Sequence, residues 1–185
     1  MPRPEAKPKA MGGAGKGMMQ PRNVWARPLH THTGVVLPEW IDYNGHMNLC
    51  YYVLLFDSAT DTFLEQLGMT PAFRARRGAS TFAAEIHVHY LRELRVGDEV
   101  RITTQLLDYD AKRIHFFHRM YHRQLGYLAA TNELMSLYVD MEARRVTAMP
   151  APIQKKLQAL ARTQGKPRRP AQAGRVIGIR RGLKK

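Results

Sequence analysis

Hydrophobic residues follow a helical period in one long stretch of this chain and a two-residue period in most of the rest. From about residue 48 to residue 67 they recur at i, i+3, i+4 and i+7, which predicts a helix with one apolar face. That face consists of Tyr52, Leu55, Phe56, Ala59, Phe63 and Leu67. Between residues 80 and 92, apolar residues occupy every second position, from Phe82 to Tyr90. This alternation predicts a strand, and the helical stripe predicts core packing rather than a ligand site.

The remaining patterns predict further strands around this helix. A first strand, residues 30–37, ends at Pro38, and strands follow at 80–92, 99–107, 113–123 and 127–141. Tight turns separate the last four, which predicts an antiparallel meander. Residues 73–78 are predicted as a basic connection and 151–161 as a short closing helix. A long central helix wrapped by a five-stranded antiparallel sheet is an α+β fold.

Length and composition favour one domain. A chain of 185 residues that is 44% hydrophobic builds one core. No apolar run approaches the roughly 20 residues of a membrane helix, and the N-terminus lacks an apolar signal core. Cys50 is the only cysteine, so an intrachain disulfide is excluded. We therefore expect a cytoplasmic protein that does not span a membrane.

The net charge of +14 is concentrated at the two ends of the chain. Residues 1–28 contain six Lys or Arg and one acid, and residues 162–185 contain nine Lys or Arg and no acid. The segment between them is close to neutral, which disfavours a nucleic-acid-binding face. We therefore predict a domain over 29–162 between disordered basic tails, 1–28 and 163–185. Such tails are either merely solvated or touch polyanions weakly.

The run from Trp40 to Asn48 (WIDYNGHMN) carries the main chemical signal. It places Asp42 and Gly45 in a turn just ahead of the long helix. Free backbone N–H groups and the helix dipole at such a junction can hold a developing oxyanion. A carboxylate beside an oxyanion site suits attack on a carbonyl or activation of water. The alternative is that Asp42 merely caps the turn. His46 is predicted to shape the turn or to position water.

This sequence resembles the hotdog-fold acyl-CoA thioesterases from about Leu29 to Ile153. The resemblance rests on DYNGHMN at 42–48, on Tyr52, and on a strand followed by Gly97 and Asp98, at 86–98. Further segments are similar to the thioesterases of bacterial carnitine breakdown, which act on betainyl-CoA. These segments are WIDYNGH at 40–46, ATD at 59–61, EIH at 85–87, YLRE at 90–93 and DAKRIH at 110–115.

The resemblance implies that the protein hydrolyses an acyl-CoA to a free acid and coenzyme A without a cofactor. In such enzymes the carboxylate at the position of Asp42 is the nucleophile or the general base. Backbone N–H groups near Leu49 and Cys50 would polarise the thioester carbonyl, with His46 and Asn48 in the same motif. Those enzymes are dimers or tetramers with active sites between protomers, so we expect a homo-oligomer.

Several residues are candidates for binding the substrate. Trp40 and Tyr43 offer ring faces to a quaternary ammonium, and Glu85 offers it a carboxylate. Each also has an ordinary explanation, as a half-buried ring or an exposed strand carboxylate. Coenzyme A carries phosphates, for which Arg92, Arg95, Lys112 and Arg113 are candidates or else solvated turn residues.

Other chemistries are disfavoured by spacing. His87 and His89 share one face of their strand, whereas His115 and His118 point to opposite faces, so no metal site is predicted. Cys50 could pair with His46, but a small cysteine in a helix is more often buried packing. No serine lies in a Gly-x-Ser-x-Gly elbow. Two alternatives remain open: an acyl-CoA hydratase, and a non-catalytic acyl-CoA-binding or scaffold protein.

Overall fold

A computed structural model describes residues 28–179, which form one antiparallel sheet, a long helix and two shorter helices. The strands are β1 (Leu29–Val35), β2 (Ala79–Tyr90), β3 (Glu99–Tyr109), β4 (Arg113–His122), β5 (Leu128–Asp140) and β6 (Arg145–Val146). The helices are α1 (Leu49–Gln66), α2 (Pro71–Arg77) and α3 (Ala151–Gln164), and a short 3-10 turn, Pro38–Trp40, precedes α1. Among the described residues, no helix is long and apolar enough to cross a membrane.

The strand order is β1-β3-β4-β5-β2, with the short β6 beside β5. The α+β architecture and the predicted positions of five strands are therefore confirmed, but the four-strand meander is wrong. Only β3, β4 and β5 are consecutive neighbours, and β2 lies at the far edge, paired with β5. Alternation reports which face a side chain occupies, not which strand lies beside it. Residues 91–98 connect β2, at one edge, to β3, which lies next to β1 on the other side of the sheet, instead of forming a hairpin.

Helix α1 packs its predicted apolar stripe against the sheet. All six residues of the stripe are buried, and Phe56, Ala59, Phe63 and Leu67 have no exposed surface. Asn48 caps the helix: its side chain accepts the Cys50 N–H at 3.0 Å. The helix therefore begins where its first turn meets the Asp42 loop.

Strand β2 departs from its predicted alternation at a bulge. Its register against β5 shifts between Ala83 and Glu85. Because β2 is an edge strand, Phe82 and Ile86 remain 41% and 47% exposed. The residues just before β2, predicted as a connection, instead form α2, because Thr70 accepts the Phe73 N–H and Pro71 suits the first turn.

Residues 165–175 lie on the outer face of the sheet, whereas the sequence predicts disorder from residue 163. Beyond them, Val176, Ile177 and Ile179 are 86%, 86% and 88% exposed. Pro170 is buried, and the Arg168 carbonyl accepts from the Gln105 side chain at 3.4 Å. The Gly174 N–H donates to Glu133 at 2.6 Å. The prediction rested on the basic composition of the segment. It did not take account of the outer sheet face, which offers the Glu133 carboxylate and an apolar surface to this segment. Residues 1–27 and 180–185 lie outside the described residues, as does most of the predicted N-terminal tail.

Candidate active site

The turn ahead of α1 is held by its own backbone. The Asp42 N–H donates to the His46 carbonyl at 3.1 Å, and the Gly45 N–H donates to the Asp42 carbonyl at 3.0 Å. Gly45 has φ +79°, a conformation that a residue with a Cβ rarely adopts. The Met47 N–H donates to the Leu94 carbonyl at 2.7 Å, which ties the turn to the segment that follows β2.

The Asp42 carboxylate is oriented but not neutralised. Its Oδ1 accepts the Asn44 N–H at 2.8 Å. This is the bond expected if Asp42 caps the turn, the alternative role that the sequence left open. This bond uses one lone pair and fixes the rotamer. No basic side chain of the described residues forms an ion pair with Asp42. The second oxygen is therefore available to a substrate or a water.

The first turn of α1 begins with a free backbone donor, the N–H of Leu49, seven residues after this carboxylate. The Asn48 side chain takes the Cys50 N–H, and the Asn48 carbonyl accepts the Tyr51 N–H at 3.1 Å. The Leu49 N–H has no hydrogen-bond partner within residues 28–179. Of the two N–H groups expected to face a thioester carbonyl, only that of Leu49 is free, because the cap consumes the other.

A groove of about 410 Å³ runs between this turn and the end of β2. Its lining consists of Asp42, Tyr43, Asn44, His46, Met47, Asn48, Leu49, Tyr52, Tyr90, Leu91, Arg92 and Glu93. Five of the predicted catalytic and binding residues beyond Asp42 are therefore brought together: Tyr43, His46, Asn48, Leu49 and Arg92. His46 approaches the Met47 carbonyl with Nδ1, at 3.4 Å.

Two tyrosines that the sequence interpretation did not assign to substrate binding shape the groove. The Tyr90 hydroxyl donates to the Leu49 carbonyl at 3.3 Å, and its ring meets Tyr52 edge-on with centroids 5.2 Å apart. The Tyr52 hydroxyl accepts the Leu94 N–H at 3.1 Å, and burial raises the pKa of Tyr52 to about 12. The sequence places both in hydrophobic patterns and among the residues that carry the family resemblance, Tyr52 by itself and Tyr90 within YLRE at 90–93. Neither pattern assigned them to a substrate site.

Arg92 lies at one end of the groove. Its guanidinium stacks over the Tyr127 ring, 3.8 Å from the centroid, and the Tyr127 hydroxyl donates to the Glu93 carbonyl at 3.0 Å. Arg95, another candidate for phosphate binding, instead pairs with Glu93 at 2.7 Å. The Arg92 side chain is thus positioned by a ring and forms no ion pair with a described carboxylate, which suits phosphate binding.

Four predicted binding residues do not reach this groove within one chain. Trp40 stacks on Tyr51 with centroids 5.1 Å apart and an interplanar angle of 13°, so one ring face is already covered. Glu85 lines a different cavity, beneath the C-terminal segment. Lys112 and Arg113 lie in the β3–β4 hairpin, where Arg113 pairs with Asp110 at 2.6 Å. These residues were predicted because they are close to the turn in sequence or carry a suitable polar group. Neither property determines where a side chain lies in the folded sheet.

Two further sequence interpretations concern cysteine and histidine. Cys50 is exposed, so its expected role as buried packing is wrong. His87 and His89 do share a face, with ring centroids 4.4 Å apart. His118 is buried in the core, whereas His115 pairs with Glu133 at 2.8 Å on the other face. Residues 28–179 contain no group of three or more His, Cys, Asp or Glu placed to hold a metal ion.

Comparison with known proteins identifies the family. The profile of the thioesterase-like superfamily matches residues 36–157, which include the turn, α1 and all strands except β1. The chain belongs to this superfamily. Its membership confirms the predicted thioester hydrolase, and the Asp42 turn lies inside the matched region.

Two relatives named as betainyl-CoA thioesterases are similar over most of the chain. A betainyl-CoA thioesterase of Pseudomonas aeruginosa is 36% identical over 82% of this chain and 95% of the relative. An L-carnitine dehydrogenase/betainyl-CoA thioesterase of Rhizobium meliloti is 37% identical over 83% of this chain. The match spans only 31% of that longer protein.

Solved structures confirm the hotdog fold. A Staphylococcus aureus protein determined in complex with CoA has a TM-score of 0.77 and 31% identity, over 83% of this chain and 97% of its own. A putative thioesterase of Pseudomonas putida has a TM-score of 0.71 and 30% identity, over 82% and 97% of the two chains. The Synechocystis 1,4-dihydroxy-2-naphthoyl-CoA thioesterase, at 13% identity and TM-score 0.63, shares the fold.

Proposed function

We propose that this protein hydrolyses betainyl-CoA to betaine and coenzyme A, with Asp42 and the Leu49 N–H as its catalytic groups. The observation that carries this proposal is their common position in one groove. Among the described residues, the Asp42 carboxylate has no ion-pair partner and the Leu49 N–H has no hydrogen-bond partner. The similarity to the Pseudomonas aeruginosa betainyl-CoA thioesterase supports the choice of acyl group. No metal or cofactor is required, since the thiolate of a thioester is a good leaving group.

The chemistry follows from these two groups. The thioester carbonyl oxygen accepts the Leu49 N–H, which stabilises the charge that develops on oxygen. Asp42 either attacks the carbonyl carbon, forming an anhydride that water then cleaves, or removes a proton from the attacking water. In both routes the C–S bond breaks, and coenzyme A leaves as the thiolate and takes up a proton. His46, beside the groove, is placed to orient the water.

The functional unit we propose is a homodimer joined through β2. This strand is twelve residues long, has β5 as its one partner among the described strands, and exposes Phe82 and Ile86. A long apolar edge of this kind invites strand pairing. A second copy that pairs antiparallel about a two-fold axis covers it on both chains.

Such a dimer brings to the groove basic side chains that do not line it within a single chain. In an antiparallel pair centred near Glu85, the groove end of one β2 lies beside the start of the other. Helix α2 ends there with Arg74, Arg76 and Arg77 in its last turn. Arg113 lies two strands inward, opposite Leu137 of β5, which itself opposes Phe82 of β2. We propose that Arg76 and Arg77 of the second copy join Arg92 in holding the phosphates of coenzyme A.

Thioester hydrolysis by the full chain tests the proposed function. Wild-type protein should release coenzyme A from betainyl-CoA, as followed by thiol detection. An Asp42→Asn protein should lose about a hundred- to ten-thousandfold in kcat with the same melting temperature, since the substitution keeps the size and the turn bond. The matched control is Asp108→Asn, an exposed strand aspartate outside the groove. Near-normal turnover by a folded Asp42→Asn protein would exclude the assignment.

A further inference from the structure

The groove contains one carboxylate without a counter-charge. Glu93 is paired with Arg95 at 2.7 Å, whereas Asp42 has no basic partner among the described residues. Arg92, the one arginine that lines the groove, stacks over Tyr127 and forms no ion pair with Asp42. The region around Asp42 is therefore locally acidic, which favours a cationic acyl group over an anionic one.

This inference rests on the proposed function, in which the acyl group is betainyl. The small size of that group limits where its positive charge can lie. In betaine one methylene joins the ammonium nitrogen to the carbonyl carbon, so the two atoms are about 2.5 Å apart, as in any amino acid. With the carbonyl held at the Leu49 N–H, the trimethylammonium lies beside the first turn of α1. A ring attracts such a cation only within about 6 Å of its centroid.

Tyr90 is the ring that is hydrogen-bonded to this turn of α1. Its hydroxyl bonds to the Leu49 carbonyl, so the phenol lies beside the residue that holds the substrate. Its edge-on contact with Tyr52 fixes it, yet 47% of it remains exposed. Tyr43 also lines the groove, but it is 97% exposed and has no packing to hold its ring in place.

We propose that Tyr90 is the residue that selects the cationic acyl group: its ring receives the trimethylammonium, and the Asp42 carboxylate faces the same charge. Trp40 and Glu85, the candidates suggested by sequence, lie outside the groove. The side chain that distinguishes a cationic from a neutral acyl group thus lies where β2 ends and α1 begins, next to the residue that holds the thioester carbonyl.

The test compares betainyl-CoA with 3,3-dimethylbutanoyl-CoA, in which a carbon replaces the ammonium nitrogen at the same shape. The measured quantity is the ratio of the two kcat/KM values. Tyr90→Leu should lower this ratio about two- to thirtyfold, the range of one cation–π contact. Tyr90→Phe keeps the ring and should stay within about twofold of wild type. Tyr121→Leu, at a partly buried strand tyrosine outside the groove, is the control and should leave the ratio unchanged.

Fluorinated phenylalanines at position 90 separate the electrostatic role of the ring from any effect on folding, because they change its electron density with little change in shape. Phenylalanine, 4-fluoro- and 3,4,5-trifluorophenylalanine have similar shapes but decreasing ring electron density, so the ratio should fall in that order. An unchanged ratio across the series, or an equal loss on both substrates in Tyr90→Leu, overturns the role of Tyr90. Wild-type protein that cleaves the neutral analogue but not betainyl-CoA instead overturns the proposed substrate.

Discussion

At the scale of single residues, the least expected feature is a histidine at the centre of the core. His118 is fully buried, with Thr104 at 2.8 Å from Nδ1 and Thr60 at 2.9 Å from Nε2. Both ring nitrogens are thus satisfied by hydroxyls, and the Phe56 ring stacks on the imidazole with centroids 5.8 Å apart. Burial without a carboxylate partner lowers the pKa of His118 to about 3. The ring is therefore neutral in the folded protein over the physiological range.

His118 should make stability depend on pH below about 6.5. The unfolded chain binds a proton there near pH 6.5, but the folded chain does so only near pH 3, so the folded state loses stability as pH falls through this window. The expected loss from this group approaches about 1.4 kcal/mol per pH unit. Urea unfolding of wild type and His118→Gln between pH 7 and pH 4.5 measures it. The advantage of wild type over the variant should shrink as pH falls, and a constant difference would contradict this account.

At the scale of elements, residues 165–175 of the C-terminal segment form a strap across the sheet. Gln105, Phe117, Glu133 and His87 form one row across β3, β4, β5 and β2. The strap contacts Gln105 on one side of Phe117 and Glu133 on the other, and Phe117 has no exposed surface. Since Phe117 belongs to neither core cluster beneath α1, the strap completes a small second layer on the outer face.

Removal of the strap should destabilise the domain. Deletion of residues 165–185 uncovers Phe117 and frees the Glu133 carboxylate from Gly174, at an expected cost of at least about 2 kcal/mol of unfolding free energy. Deletion of 180–185 alone is the control, because it leaves the strap intact. Chemical denaturation of both proteins checks this. Equal stability of the two truncated chains would show that the strap contributes nothing.

At the scale of the whole molecule, an active site shared between two copies can be tested by mixing variants. If Asp42 of one copy works with Arg77 of the other, Asp42→Asn and Arg77→Ala proteins should each be impaired alone. A mixed dimer then contains one complete site, made of the intact Asp42 and the intact Arg77 from different chains. Random re-association should restore roughly a quarter of wild-type activity, because about half of the dimers are mixed and each has one complete site.

The controls for this experiment separate assembly from chemistry. Light scattering should report a dimer for both variants, since neither change lies on the β2 edge. Ile86→Lys, which puts a charge on that edge, should shift the protein toward monomer and lower kcat/KM for acyl-CoA. No gain in activity on mixing would show that Arg77 acts within its own chain or not at all.

Local patterns were sufficient for much of this protein. The helical period predicted α1 and its buried face, and alternation predicted five strands within a few residues. The turn before the helix indicated Asp42, and the family resemblance added the N–H groups near Leu49 and Cys50. These features depend on residues close together in the chain. A helix start, its cap and the carboxylate just ahead of it lie within eight positions, so their geometry is largely local.

Tertiary structure alone decided which strand lies beside β5, which rings surround the groove, and what covers the outer face. Pairing of β2 with β5 joins residues about fifty positions apart, and period says nothing about such partners. Tyr90 meets Leu49 only because β2 ends where α1 begins in space, whereas Glu85, five residues earlier, faces another cavity. The strap was invisible to composition because its stability comes from a surface formed by four strands.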